Sequence, residues 1–132
     1  MTIHIVRLGS NRLPNEGLRI GTVRRPPRGV AKTDYAAKNY YDVWLPVLAP
    51  SPGLVALALH AQTPKEWKRF VAKYRREMSA TDQSTTLDTL AALSHRTNFS
   101  VGCYCADESR CHRSILSELL TERGASMPHT AP

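Results

Sequence analysis

Phe99-Ser-Val-Gly-Cys103-Tyr-Cys105, then Ala106-Asp-Glu-Ser-Arg110, then Cys111-His-Arg-Ser-Ile115-Leu-Ser-Glu-Leu-Leu120-Thr-Glu-Arg-Gly124, is the stretch whose reading decides the fold. Phe99, Val101, Cys103 and Cys105 alternate with smaller or more polar residues, the period of a strand. Ile115, Leu116, Leu119 and Leu120 form a helical stripe that Gly124 closes, so the unit reads strand, turn, helix. Counting back one turn from Ile115 and Leu116 places Cys111 and His112 on the inward side of the first helical turn. Arg110 and Arg113 flank them. A strand that ends in a thiol and delivers a helix N-terminus carrying His and two Arg suits an anion, because unpaired N–H groups and the helix dipole point there.

Length bounds the rest. The chain of 132 residues supports one core, so one α/β domain is expected over 1–124, with a disordered tail over 125–132. No run of about eighteen apolar residues and no charged-then-apolar leader is visible, which points away from a membrane and toward the cytoplasm. All three cysteines fall between Cys103 and Cys111, unlike a disulfide framework and suited to a reducing compartment. Eighteen Lys and Arg against eleven Asp and Glu give a net charge of +7, so the field attracts anions, nucleic acid included.

Ile3 and Ile5 alternating with His4, then Val6 and Leu8, predict a first strand. Turn residues Pro14, Asn15 and Gly17 separate it from a second at Leu18, Ile20 and Val23, which runs into Arg24-Arg25-Pro26-Pro27-Arg28-Gly29. From Val30 to Pro50 the sequence reads as an irregular cover rich in Tyr35, Tyr40, Tyr41 and Trp44, aromatics that pack on a core more often than they stack on a base. Ser51 and Pro52 open a short helix, apolar nearly all round and hence expected to be buried. Thr63 and Glu66 form a capping box for a second helix, in which Trp67, Phe70, Val71, Tyr74 and Met78 make the apolar stripe. Its other face carries Lys65, Lys68, Arg69, Lys73, Arg75 and Arg76, either a solvated surface or a phosphate-tracking patch. A third helix is expected from about Asp82 to Arg96, with Leu87, Leu90 and Ala91 inward.

This order predicts a small, mostly parallel sheet covered by helices, with Rossmann-like layering. The short link between the first two strands fits either a parallel crossover or a hairpin. In the parallel case the loops after each strand converge at one edge, where open α/β sheets bind ligands.

Leu8-Gly-Ser-Asn11-Arg12, Val23-Arg24-Arg25-Pro-Pro-Arg28-Gly29, Asp42-Val-Trp44, Trp67 to Tyr74 and Cys105 through Cys111-His112-Arg113-Ser114 together resemble the YeaO-like family of small bacterial proteins of unknown function. The resemblance spans most of the chain. Its most specific part is Cys105-x5-Cys111-His112-Arg113, and Thr22 stands where an acidic residue often precedes Val-Arg. The resemblance implies a fold and a site location and supplies no substrate.

Three chemistries compete at that site. Cys103, Cys105, Cys111 and His112 could ligate a metal, but adjacent helical residues diverge by about 100°, which argues against one ion on Cys111 and His112 and leaves no metal or cofactor expected. Cys105 at a strand end beside Arg110 and a helix N-terminus suits a nucleophile, with His112 as the second catalytic candidate; Asp107 and Glu108 oppose an incoming oxyanion. Arg113 and Arg24 call for an anion or for a carboxylate such as Asp42. The leading expectation is a site for a phosphate-bearing ligand, nucleotide or nucleic acid, formed by Asn11, Arg24, Arg28, Cys105, Arg110, His112 and Arg113. Lys68, Arg69 and Arg76 are the candidate nucleic-acid patch. A Cys105-dependent enzyme acting on an anionic substrate, and a protein-interaction module with a basic helix, are the alternatives.

Overall fold

The strand read at Phe99 is the spine of the sheet. In the computed structural model, which describes residues 1–128, β1 (Ile3–Arg7), β2 (Leu18–Gly21), β3 (Val43–Trp44) and β4 (Phe99–Cys103) form one sheet in the order β1-β4-β2-β3. Every pairing is parallel, with Ile5 and Ile20 both opposite Val101. The last strand in sequence is therefore inserted between the first two. This settles the crossover-or-hairpin alternative, because β1 and β2 are not neighbours and their link has no hydrogen-bond register to share. All five residues of β4 are buried. Its neighbours come so close that a Cβ on Gly102 would lie 2.7 Å from both the Leu8 side chain and the Val6 carbonyl.

Helices α1 (Pro52–His60), α2 (Pro64–Met78), α3 (Thr81–Leu93) and α4 (His112–Glu122) follow the sequence reading closely. Thr63 caps α2 by accepting from the Glu66 N–H at 3.1 Å. Phe70, Tyr74, Leu87, Leu90, Leu116 and Leu120 join Ile3, Ile20, Phe99 and Val101 in one core, the outcome an amphipathic stripe demands. Five expectations are corrected. β2 stops at Gly21, short of Val23, and α3 stops at Leu93, short of Arg96. The cover over 30–50 contains the edge strand β3, too brief to show a period. Of α1, expected to be buried, only Leu54 is buried and Leu59 is 74% exposed. The expected tail from Ala125 is corrected at its start: Ala125 and Met127 pack on the core, and the Ser126 carbonyl accepts from the Ile3 N–H at 2.9 Å. Residues 129–132 lie outside the described residues. Among the described residues no helix is long and apolar enough to cross a membrane.

The second face of the sheet is held by a buried ion pair. Arg19 is 0% and Glu16 2% exposed. The Arg19 Nε and Nη2 donate to the two Glu16 oxygens at 2.7 and 2.8 Å. The other guanidinium hydrogens go to the carbonyls of Ser10, Asn39 and Asn11, and the Ser100 hydroxyl donates to Glu16 at 2.7 Å. Every donor of the guanidinium is thereby used, the condition under which a buried charge is tolerable. Burial pushes the Glu16 carboxyl up, but the bonds from Arg19, the Leu13 N–H and Ser100 prevail and hold it at about 2, against an ordinary 4.5. A carboxyl lowered on folding contributes stability that is complete above 4.5 and is lost as pH falls toward 2. Glu16→Gln is expected to cost about 3–5 kcal/mol at neutral pH, because Arg19 is left buried without its counter-charge. The same variant should flatten the acid limb of a denaturant-midpoint-against-pH profile; an unchanged limb would assign the acid sensitivity elsewhere.

Candidate functional site

Because the sheet is parallel, the segments leaving β1, β2 and β4 emerge at one edge. There a cavity of about 840 Å³ opens between α1, the Arg24–Arg28 loop and the turn leading into α4. Val55 and Leu59 of α1, with Pro26 and Phe70, form apolar walls, which explains why α1 carries more apolar surface than the core uses. Arg24, Arg25, Arg28 and Arg110 stand around them, and among the described residues none of the four is in an ion pair. Arg24 donates from Nε to the Pro50 carbonyl and from Nη2 to the Ala49 carbonyl, both at 3.0 Å, tying its loop to the front of α1. The Tyr104 hydroxyl donates to the Arg25 carbonyl at 2.9 Å, holding the same loop from the other side. The Arg110 guanidinium lies 5.6 Å from the Trp67 ring centroid, within cation–π range.

The floor carries the sulfurs. The Cys103 thiol points to the Cys105 sulfur at 3.6 Å and the Cys111 thiol to the Cys103 sulfur at 2.9 Å. All three cysteines are free, and Cys105 alone is not fully buried. Hydrogen bonds from Cys103 and then Cys111 draw the Cys105 thiol far below its ordinary value. Cys103 and Cys111, which hold the protons, are pushed up. His112 Nε2 lies 2.7 Å from the Thr22 carbonyl. A carbonyl only accepts, so Nε2 carries the hydrogen and, in the neutral ring, Nδ1 keeps a lone pair. Burial, against the pull of the Thr22 carbonyl, lowers His112 to about 4, so the ring is neutral at pH 7. Nδ1 is 3.9 Å from the Cys111 sulfur.

The cavity brings together Arg24, Arg28, Cys105, Arg110 and His112 of the expected site, and adds Arg25 and Tyr104. It does not include Asn11, an exposed residue whose carbonyl serves Arg19 across the sheet. Arg113 is buried beneath it, with Nη1 donating to the Val6 and Cys103 carbonyls at 3.1 and 3.4 Å. The carboxylate suggested for Arg113 or Arg24, Asp42, is instead held by Arg12 at 2.9 and 3.0 Å. The objection to a shared ion on Cys111 and His112 also fails. Cys111 is the extended N-cap of α4 (φ −127°, ψ 148°) and not a helical residue, so the helical divergence does not apply. Ahead of Cys111 only a 3-10 turn over Glu108–Arg110 forms, and Asp107 occupies its free N–H by accepting from Ser109. Lys68, Arg69 and Arg76 are exposed on α2 and lie outside the cavity lining. Their neighbour Arg75 is taken by Glu118 and Glu122.

A family model described as "Active DUF488-N3 subclade" matches residues 3–124, and the chain belongs to that family. No curated protein and no solved structure matches the chain.

The proton distribution among the sulfurs makes a direct prediction. In chelator-treated protein at pH 6, iodoacetamide should label Cys105 well before Cys103 or Cys111, because the thiolate is the nucleophile and the other two thiols are buried. Peptide mapping that found the three labelled at equal rates would contradict the assignment.

Proposed function

We propose, for a chain belonging to the DUF488-N3 subclade, that the cavity binds a ligand with a phosphate group and an apolar or aromatic body, a nucleotide or the end of a nucleic acid. One observation carries this reading: a cavity of about 840 Å³ at the carboxyl edge of a parallel sheet combines apolar walls with four arginines that have no carboxylate partner among the described residues. Guanidiniums clustered without acidic neighbours match a phosphate by charge and by bidentate geometry. Walls of Val55, Leu59 and Pro26 favour the burial of a flat, poorly hydrated ring. Arg28 and Arg110 carry the phosphate in this reading, and Arg24, already committed to two carbonyls, shapes the loop. The basic face of α2, with Lys68, Arg69 and Arg76, is where a longer nucleic acid would continue, an extension open to its own test. The Cys105-x5-Cys111-His112-Arg113 pattern also supports placing the chain with the YeaO-like proteins.

The test compares a nucleoside, its monophosphate and inorganic phosphate by calorimetry and thermal shift. The monophosphate should bind at least tenfold more tightly than either part. Arg28→Gln and Arg110→Gln should each weaken it about tenfold or more, the worth of one charge-assisted bond, without lowering the melting temperature of the free protein. Equal binding of nucleoside and monophosphate, or none of either, would overturn the reading. Lys68→Gln with Arg69→Gln and Arg76→Gln should leave the monophosphate unaffected while reducing the salt dependence of oligonucleotide binding.

A further inference from the structure

The floor of the cavity holds more metal-ligating atoms than nucleotide binding requires. The sulfurs of Cys103 and Cys111 and a ring nitrogen of His112 all lie within 4.8 Å of one another, and all three residues are buried; Nδ1 is the ring nitrogen left open, 3.9 Å from the Cys111 sulfur. We propose that Cys103, Cys111 and His112 bind a zinc ion, with Cys105 as the fourth ligand on the cavity side. This does not rest on the nucleotide reading.

Geometry supports it first. A tetrahedral zinc with Zn–S of about 2.3 Å and Zn–N of about 2.0–2.1 Å sets its sulfurs about 3.8 Å apart and S to N about 3.5 Å apart. The Cys103–Cys105 separation is 3.6 Å and the Cys111–His112 Nδ1 separation 3.9 Å. Of these three separations the Cys103–Cys111 pair, at 2.9 Å, has to open by about 0.9 Å relative to that tetrahedron, and Cys105, which stands outside the close group of Cys103, Cys111 and His112, turns in from the cavity side. Cys103 closes a central strand and Cys111 caps the helix that begins at His112, so the donors stand on fixed backbone.

The surroundings of the donors support it independently. His112 spends its Nε2–H on the Thr22 carbonyl at 2.7 Å, the outer bond that metal-bound histidines make and that aims the other nitrogen at the ion. Arg113 then finds its counter-charge. It is 4% exposed, its polar contacts are backbone carbonyls, and its Nε has no partner. A buried guanidinium without an anion is costly. Three thiolates around a divalent ion carry one net negative charge, which neutralises it. On binding, Cys103 and Cys111 release their protons to solvent. Three sulfurs and one imidazole select zinc or another soft ion over magnesium or calcium.

The experiment uses the full chain purified without a histidine tag or chelator. Elemental analysis should find close to one zinc per chain, and Co²⁺ exchanged into the site should give thiolate charge-transfer absorption with tetrahedral visible bands. Adding one equivalent of Zn²⁺ to metal-free protein should suppress iodoacetamide labelling of Cys105 at least tenfold. Cys103→Ser and Cys111→Ser should lose the ion. His112→Cys should keep it with a changed Co²⁺ spectrum, which separates loss of a ligand from loss of the fold. Wild-type protein that gives no sulfur-to-cobalt absorption, no protection of Cys105 by zinc, or a Cys103–Cys111 disulfide as isolated would overturn the proposal. Nucleotide titrations of metal-free protein separate that failure from a failure of the nucleotide reading.

Discussion

The fork between Arg19 and Glu16 is the interaction on which the second face of the sheet depends. A fully buried guanidinium on a parallel strand must satisfy five donors without water. It does so by gathering the Glu16 carboxylate and the carbonyls of Ser10, Asn11 and Asn39. Ser100 on β4 reaches the same carboxylate, so one ion pair ties two strands and two connections together. The loops that would otherwise be free to leave the sheet become its cover, and Tyr41, Leu8 and Val6 pack beneath them as a second apolar cluster. The direction in which β1 and β2 release their chain is fixed by this arrangement.

That direction matters because the cavity is made of strand ends. With β4 inserted between β1 and β2, the segments at Val23 and Cys103 are adjacent, and one α-helix N-terminus can touch both. His112 does so, bonding from α4 to the last residue before Val23. Arg113 does the equivalent on the other side, to Val6 and Cys103. Two consecutive residues of α4 thus staple three strand ends from beneath. The same pair orders the floor on which the sulfurs sit, so structural and chemical roles of Cys-His-Arg are not separable here.

The strand-turn-helix unit at Phe99–Gly124 and the stripe of α2 were legible because each repeats its apolar period over several turns or pleats. The shared edge followed from that reading once the strands proved parallel. What escaped had physical reasons. β3 pairs through two residues, below the length at which alternation exists. Arg19 interrupts an apolar strand at Leu18-Arg19-Ile20, and an acidic residue three positions before it was the available signal; a charge inside a strand is more simply read as an exposed edge. Asn11 was placed at the site by its position after β1, but the pull of Arg19 turns that loop over the opposite face. Cys111 was given helical geometry from the count back along α4, whereas a cap residue keeps extended dihedrals. That single difference turns the Cys111 sulfur toward Cys103 instead of along the helix.

The balance of charge at this edge follows from which carboxylates are already spent. Asp107 accepts from Ser109, Asp42 is held by Arg12, Glu77 accepts the Ser51 N–H, and Glu16 belongs to Arg19. These four acids are committed to their own loops or helices, and among the described residues no carboxylate pairs with Arg24, Arg28 or Arg113. A positive potential therefore accumulates where the N-terminal amides of α4 point, and it acts on the most ionisable groups within reach, the thiols. Arg113 and His112 lie below the sulfurs and the loop arginines above them. A negative charge on the sulfurs is thus stabilised from beneath, while an anion arriving from solvent meets the arginines before it meets the sulfurs. The site is layered by burial, with Arg113 and His112 deepest, Cys103 and Cys111 beside them, Cys105 half-buried above, and the arginines of the Arg24–Arg28 loop around the mouth of the cavity.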